Sequence, residues 1–132
     1  MDIGEAIYGR LNGYVGLTAL SSARIYPIVA PQGAKLPFVT FQQISGPRVH
    51  AMGHDPGLTY PRYQVSAWST KYSNCLAIAK QIRLALQDWT STTTLNIQRV
   101  FHDGEVDLSD NDPQTKDVIY HRANDFIVWY ST

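Results

Sequence analysis

The chain has 132 residues, 11 Lys plus Arg against 11 Asp plus Glu, a formal net charge of zero and one cysteine. That length encloses a single hydrophobic core and points to one domain over residues 1–132. The lack of a basic excess argues against sequence-specific nucleic-acid binding, one cysteine excludes an intrachain disulfide, and no apolar run approaches the roughly 20 residues that a membrane span needs.

Residues 1–5 offer no basic segment leading into an apolar core, so no export signal is expected and the chain is expected to be soluble and made in a cytoplasm. Residues 2–11 read as a short helix: Asp2 can cap it, Ile3, Ile7, Tyr8 and Leu11 share a face, and Gly13 supplies a stop. Residues 16–22 are a compact connection with room for one helical turn at 17–20. Residues 24–27 look like a brief edge strand, since Pro27 has no N–H to give a ladder. A turn cluster at 30–34 leads to a strand over 38–45, rich in Phe, Val, Thr and Ile. Residues 46–57 hold three Gly and two Pro, which excludes a long helix or an unbroken strand and leaves a long loop or a projecting hairpin.

Residues 63–89 carry the clearest pattern. In a strand over 63–69, Tyr63, Val65 and Ala67 fall on one face and Gln64, Ser66 and Trp68 on the other. In a helix over 71–88, Tyr72, Leu76, Ala79, Ile82, Leu86 and Trp89 recur at three- and four-residue steps. Cys75, Ile78 and Ala85 widen that stripe until it can lie on a sheet. Ser69 or Thr70 can cap the start of the helix.

A polar turn at 90–94 precedes a strand in which Leu95, Ile97, Arg99 and Phe101 alternate with Asn96, Gln98, Val100 and His102. Residues 103–117 read as acidic and turn-rich. The last strand, 118–130, sets Phe126 and Val128 against Ile127 and Trp129, so that one face can meet the helices and the other a partner, or both can be internal. The expected fold is α+β: a largely antiparallel sheet covered on one face by two helices, with a long projecting loop or hairpin.

Few residues point to chemistry. His50 and His54 would meet on one face only in a helix, and the surrounding Gly and Pro argue against one. His102, Asp103, Glu105 and Asp107 lack the twelve-residue calcium-loop pattern. His121 and Asp125 lie on one strand face but about 13 Å apart by strand rise. Cys75 falls on the apolar side of its helix, where a small buried hydrophobe is the simplest reading and a nucleophile would be oddly placed. No nucleophile elbow, dinucleotide fingerprint or phosphate loop is present. No enzyme and no cofactor is expected. The alternative kept open is a small α+β ligand-binding domain, or a metal- or thiol-dependent enzyme using His50, His54 or Cys75.

Three blocks stand out in order along the chain. The first is Arg24-Ile-Tyr, then Ala30-Pro-Gln-Gly-Ala, then Leu36-Pro-Phe-Val-Thr-Phe-Gln. The second is Tyr63-Gln-Val-Ser-Ala-Trp-Ser with the following helix through Ile82-Arg-Leu-Ala-Leu. The third is Asp112-Pro-Gln-Thr, Tyr120-His-Arg and Asp125-Phe-Ile-Val-Trp-Tyr. Together these blocks resemble the family of small bacteriophage tail completion proteins of long-tailed phages, also described as head–tail joining or tail terminator-like. Residues 46–57 match no fixed motif of that family.

The resemblance implies a structural protein without catalytic residues. It implies a homo-oligomeric ring, typically a hexamer, at the head-proximal end of the tail tube. Its expected partners are further copies of itself, the tail tube protein and the head connector, and its expected place is the virion tail or neck after assembly in the host cytoplasm. A ring needs two unlike complementary patches per subunit. Opposite charge nominates the loop bearing Arg48, His50, His54 and Arg62 against the acidic segment bearing Asp107, Asp110 and Asp112, and Trp129 is a further candidate for a subunit or partner interface.

Overall fold

A computed structural model of the chain describes residues 2–22, 24–48, 52–53, 57–92, 95–111 and 117–131. Its elements are α1 (Ile3–Asn12), α2 (Val15–Ser21), β1 (Ile25–Pro27), β2 (Phe38–Ser45), β3 (Leu58–Thr59), β4 (Arg62–Ser69), α3 (Tyr72–Leu86), β5 (Asn96–Asn111) and β6 (Val118–Ser131). The class is α+β, with three helices among the described residues where the sequence pattern predicts two. The additional one is α2: the turn expected at 17–20 extends to a seven-residue helix because Leu17 and Ser21, four apart, share a buried face.

Local signals explain the helix ends. Asp2 caps α1 by accepting the Ile3 N–H at 2.9 Å, and Ile3, Ile7 and Leu11 form its buried face. Gly13 ends it with φ −89°, so the stop needs no left-handed residue. Ser69 accepts the Lys71 N–H at 3.2 Å, which tightens the turn ahead of α3 rather than capping its first turn. The inner face of α3 is Cys75, Ile78, Ala79, Ile82, Ala85 and Leu86. Tyr72 and Leu76, read from the sequence as part of that face, lie at its margin and are 43% and 36% exposed. At the other end of α3, Arg10 from α1 donates to the Ala85 carbonyl at 2.8 Å, placing a cation where helix carbonyls lack partners.

The sheet is mixed. β1 runs parallel to β2, while β2–β4, β3–β6, β4–β6 and β5–β6 are antiparallel. β6 is central: Asp125 faces Gln64 of β4 on one side and Gly104 of β5 on the other. The stretch between β2 and β3 is tied at its base, where Arg48 bridges Thr59 and the Tyr60 N–H donates to the Pro47 carbonyl at 3.1 Å.

β5 departs from the predicted alternation. Register shifts between Ile97 and Arg99 and between His102 and Gly104 each insert a bulge. A bulge reverses which side the following residues face. Ile97 and Val100 are therefore both buried, while Phe101 is 44% exposed. The segment expected to be turn-rich from residue 103 continues as strand to Asn111. Its carboxylates are answered across the ladder: Arg122 holds Glu105 at 2.8 Å and Asp107 at 3.1 Å.

The buried residues of all three helices form one cluster with Val39, Phe41, Tyr63, Val65, Ala67, Ile97, Val100, Phe126 and Val128. The strand members share one face of the sheet, the bulge in β5 bringing Ile97 and Val100 to the same side. The opposite face carries Phe38, Trp68 and His121, aligned across β2, β4 and β6 by the register.

Candidate functional site

The residues nominated from the sequence fall in separate places. Arg62, at the start of β4, makes ion pairs with Asp103 at 2.7 Å and Asp125 at 3.4 Å of its own chain. Arg48 lines a small cavity with Asp2, Gln43, Thr59 and Tyr130. Asp107 accepts the Tyr72 hydroxyl at 2.8 Å in addition to its pair with Arg122. Asp110 sits opposite Ile119 and accepts the Asn111 N–H at 2.8 Å. Trp129 stacks on Tyr60, with centroids 4.5 Å apart and planes 14° from parallel. From Ile119 to Trp129 is ten residues along β6, about 33 Å by strand rise. His50, His54 and Asp112 lie outside the described residues.

Three arrangements were not visible in the sequence. The first is an aromatic row across the sheet: Tyr26 to Phe38 at 5.9 Å, Phe38 to Trp68 at 5.8 Å, and Trp68 to His121 at 3.7 Å. The indole N–H of Trp68 donates to Thr40 at 2.9 Å, which fixes the ring. The second is the Arg122 cluster with Glu105, Asp107 and Tyr72. The third is a groove of about 660 Å³ between α1 and β1, walled by Tyr8, Ile25, Pro27 and Phe41 with Asp2 and Glu5 on it. Strong alternation gives the face of Trp68. Its neighbours depend on strand pairing, which no local pattern states.

None of this forms a reaction centre. The Cys75 thiol donates to the Ala67 carbonyl at 3.4 Å, and burial raises its pKa, so it is held in the unreactive protonated form. Burial lowers the His121 pKa, the charge of Asp110 opposing that shift. His102 shares a 3.1 Å hydrogen bond with Asn124. Among the described residues no three His, Cys, Asp or Glu side chains converge as a metal site. What the arrangement offers is surface: Phe101, Val106 and Leu108 of β5 are 44%, 49% and 48% exposed.

The fold has a counterpart among solved structures. A chain of a structure described as the virion of a native gene transfer agent particle superposes with a TM-score of 0.66. The match covers 96% of this chain and 92% of that one at 13% identity, a likeness of fold. No curated protein matches the sequence. The sequence profile of the family described as tail completion protein gp17 matches residues 5–130. With nearly its whole length so matched, the chain belongs to the tail completion protein gp17 family, a family of structural phage tail proteins rather than enzymes.

Proposed function

We propose that the protein caps the head-proximal end of a phage tail tube and joins the tail to the head connector, acting as a ring of identical subunits, with a hexamer the expected size. The observation that carries this reading is the family match over residues 5–130. The fold shared with a chain of the gene transfer agent virion supports a place within a particle. In this reading the partners are further copies, the tail tube protein and the head connector, and assembly takes place in the host cytoplasm. DNA passes through the ring without its sequence being read, in keeping with a net charge of zero.

Phe38, Trp68 and His121 lie on the sheet face opposite the one that carries the core residues of the strands, and in this reading that face and the long edge of β5 meet neighbours. A closed ring uses two different patches on each copy. The acidic β5 segment with Asp107 and Asp110 supplies one, and Arg48 and Trp129 lie on surfaces able to supply contacts to further neighbours.

Light scattering over a concentration series, followed by electron microscopy with and without tail tubes, tests the reading. Rings in solution, or rings seated on tube ends, support it. A monomer at every concentration that also ignores tubes overturns it.

A further inference from the structure

The charged side chains of α3 are Lys80 and Arg83, both cations. Together with Leu76, Ala79, Glu105 and Arg122 they line a groove of about 210 Å³ between α3 and β5. Three cations thus surround one carboxylate over a partly apolar floor. That carboxylate is already held by Arg122 at 2.8 Å, and among the described residues no ion pair reaches Lys80 or Arg83. The groove can accept an acidic partner.

It also flanks an open sheet edge. The outer side of β5 is bonded at its beginning, where the Asp88 N–H donates to the Val100 carbonyl and Ser91 pairs with Ile97. Over residues 101–111 no described strand meets that side. An unpaired edge of this length is a template for a further chain.

The same molecule carries a matching projection. The β5–β6 ladder continues through Asp110–Ile119 and Asn111–Val118, beyond the last β4 pair at Ser69–Tyr120. A ribbon two strands wide is marginal in water unless something packs on it. At its base Leu108 is exposed on the same face as Asp110, and Val118 is exposed on the opposite face. Asp110 is three residues from Asp107 in regular register, so it points to the other face of β5, away from the groove of its own chain. Only the Asp110 of another copy can enter that groove.

We propose that the groove between α3 and β5 receives the β5–β6 arm of a second copy of this chain, with Asp110 set against Lys80 and Leu108, which shares its face, covering Leu76. Groove and arm are unlike and complementary, as a head-to-tail contact requires. The inference rests on the ring reading above and names the contact that closes the ring.

The test is a charge swap with Lys80→Glu, Asp110→Lys and the two combined. Ring formation is followed by light scattering, or on tube ends by electron microscopy if rings form only there. Both side chains are exposed, and circular dichroism with thermal melting checks that each variant folds as the original chain does. Each single reversal sets like charges across the contact and is expected to weaken assembly by roughly tenfold or more. The combined variant is expected to recover to within about threefold of the original. Single variants that assemble normally, or a combined variant no better than the worse single one, overturn this contact while leaving the ring standing. Failure of the unaltered chain to form rings in solution or on tubes removes the ring and the contact together.

Discussion

His121 lays its imidazole on the indole of Trp68, with centroids 3.7 Å apart and planes 15° from parallel, across the β4–β6 pairing. Its Nε2 is buried and meets no protein partner among the described residues, and burial holds the pKa below the usual 6.5 against the opposing charge of Asp110. The folded chain therefore binds fewer protons than the unfolded chain between that lowered value and 6.5. The stability contributed by the neutral ring is complete above about pH 6.5 and is lost as pH falls through that value toward the folded pKa. The denaturation midpoint should fall between about pH 7.5 and pH 5.5, and His121→Phe should remove much of that slope while keeping the stack. A slope unchanged by His121→Phe would assign the titration to another group.

The core makes a sharper prediction. Phe126 on β6 is fully buried, as is Ile82 on α3. Phe126→Ala removes the largest fully buried side chain and leaves a cavity between sheet and helices, at an expected cost of about 3–5 kcal/mol. Ile82→Val removes one methylene and should cost about 0.5–1.5 kcal/mol. Urea denaturation of both variants checks the ratio. Equal small losses would mean that the helix–sheet interface is not the centre of stability.

How much of this was legible depends on what each pattern encodes. Tyr63, Val65 and Ala67 alternate without interruption, so the inner face of β4 could be read directly. The inner face of β5 could not, because two bulges shift the phase and no residue type announces them. Residues 103–111 look like turn by composition, yet they hold a strand because Arg122 and Arg62, distant in sequence, answer Glu105, Asp107 and Asp103. The same blindness affects the candidate contacts. Opposite charge alone set Arg62 against the acidic segment, and the structure shows a pair between Arg62 and Asp103 inside one chain. The groove of Lys80 and Arg83 belongs to α3 and β5 jointly, and neither segment reveals it alone.

Cys75 should behave as a packing residue. Its thiol donates to the Ala67 carbonyl at 3.4 Å and to the Tyr120 carbonyl at 3.7 Å, and burial raises its pKa. A thiol reagent at pH 8 should react with the native chain at least roughly a hundredfold more slowly than with the unfolded chain, because thiolate and access are both scarce. Cys75→Ala should cost about 1–2 kcal/mol and leave assembly unchanged. Fast native labelling would contradict the burial, and lost assembly with intact folding would give the thiol a role beyond packing.

The Arg122 cluster braces β5 just before its pairing with β6 runs beyond the end of β4. Arg122 binds Glu105 and Asp107 from β5, and Asp107 in turn accepts the Tyr72 hydroxyl from α3, so one cation ties the edge strand to the helix. The carboxylates are 41% and 48% exposed, so solvent screens the pairs and their effect on global stability should be small, about 1 kcal/mol. The local effect should be larger. Arg122→Met keeps the apolar stem against α3 and leaves two like charges facing each other along β5. Amide exchange over residues 105–111 should then accelerate by roughly tenfold or more, while the amides of β4 and of β6 at Phe126 keep their protection. If the arm is the contact between copies, the variant should assemble more weakly at nearly unchanged melting temperature, since a mobile arm must be ordered when it binds. Uniformly faster exchange across the sheet would instead make Arg122 part of the global fold, and unchanged exchange would show that the ladder holds the arm without it.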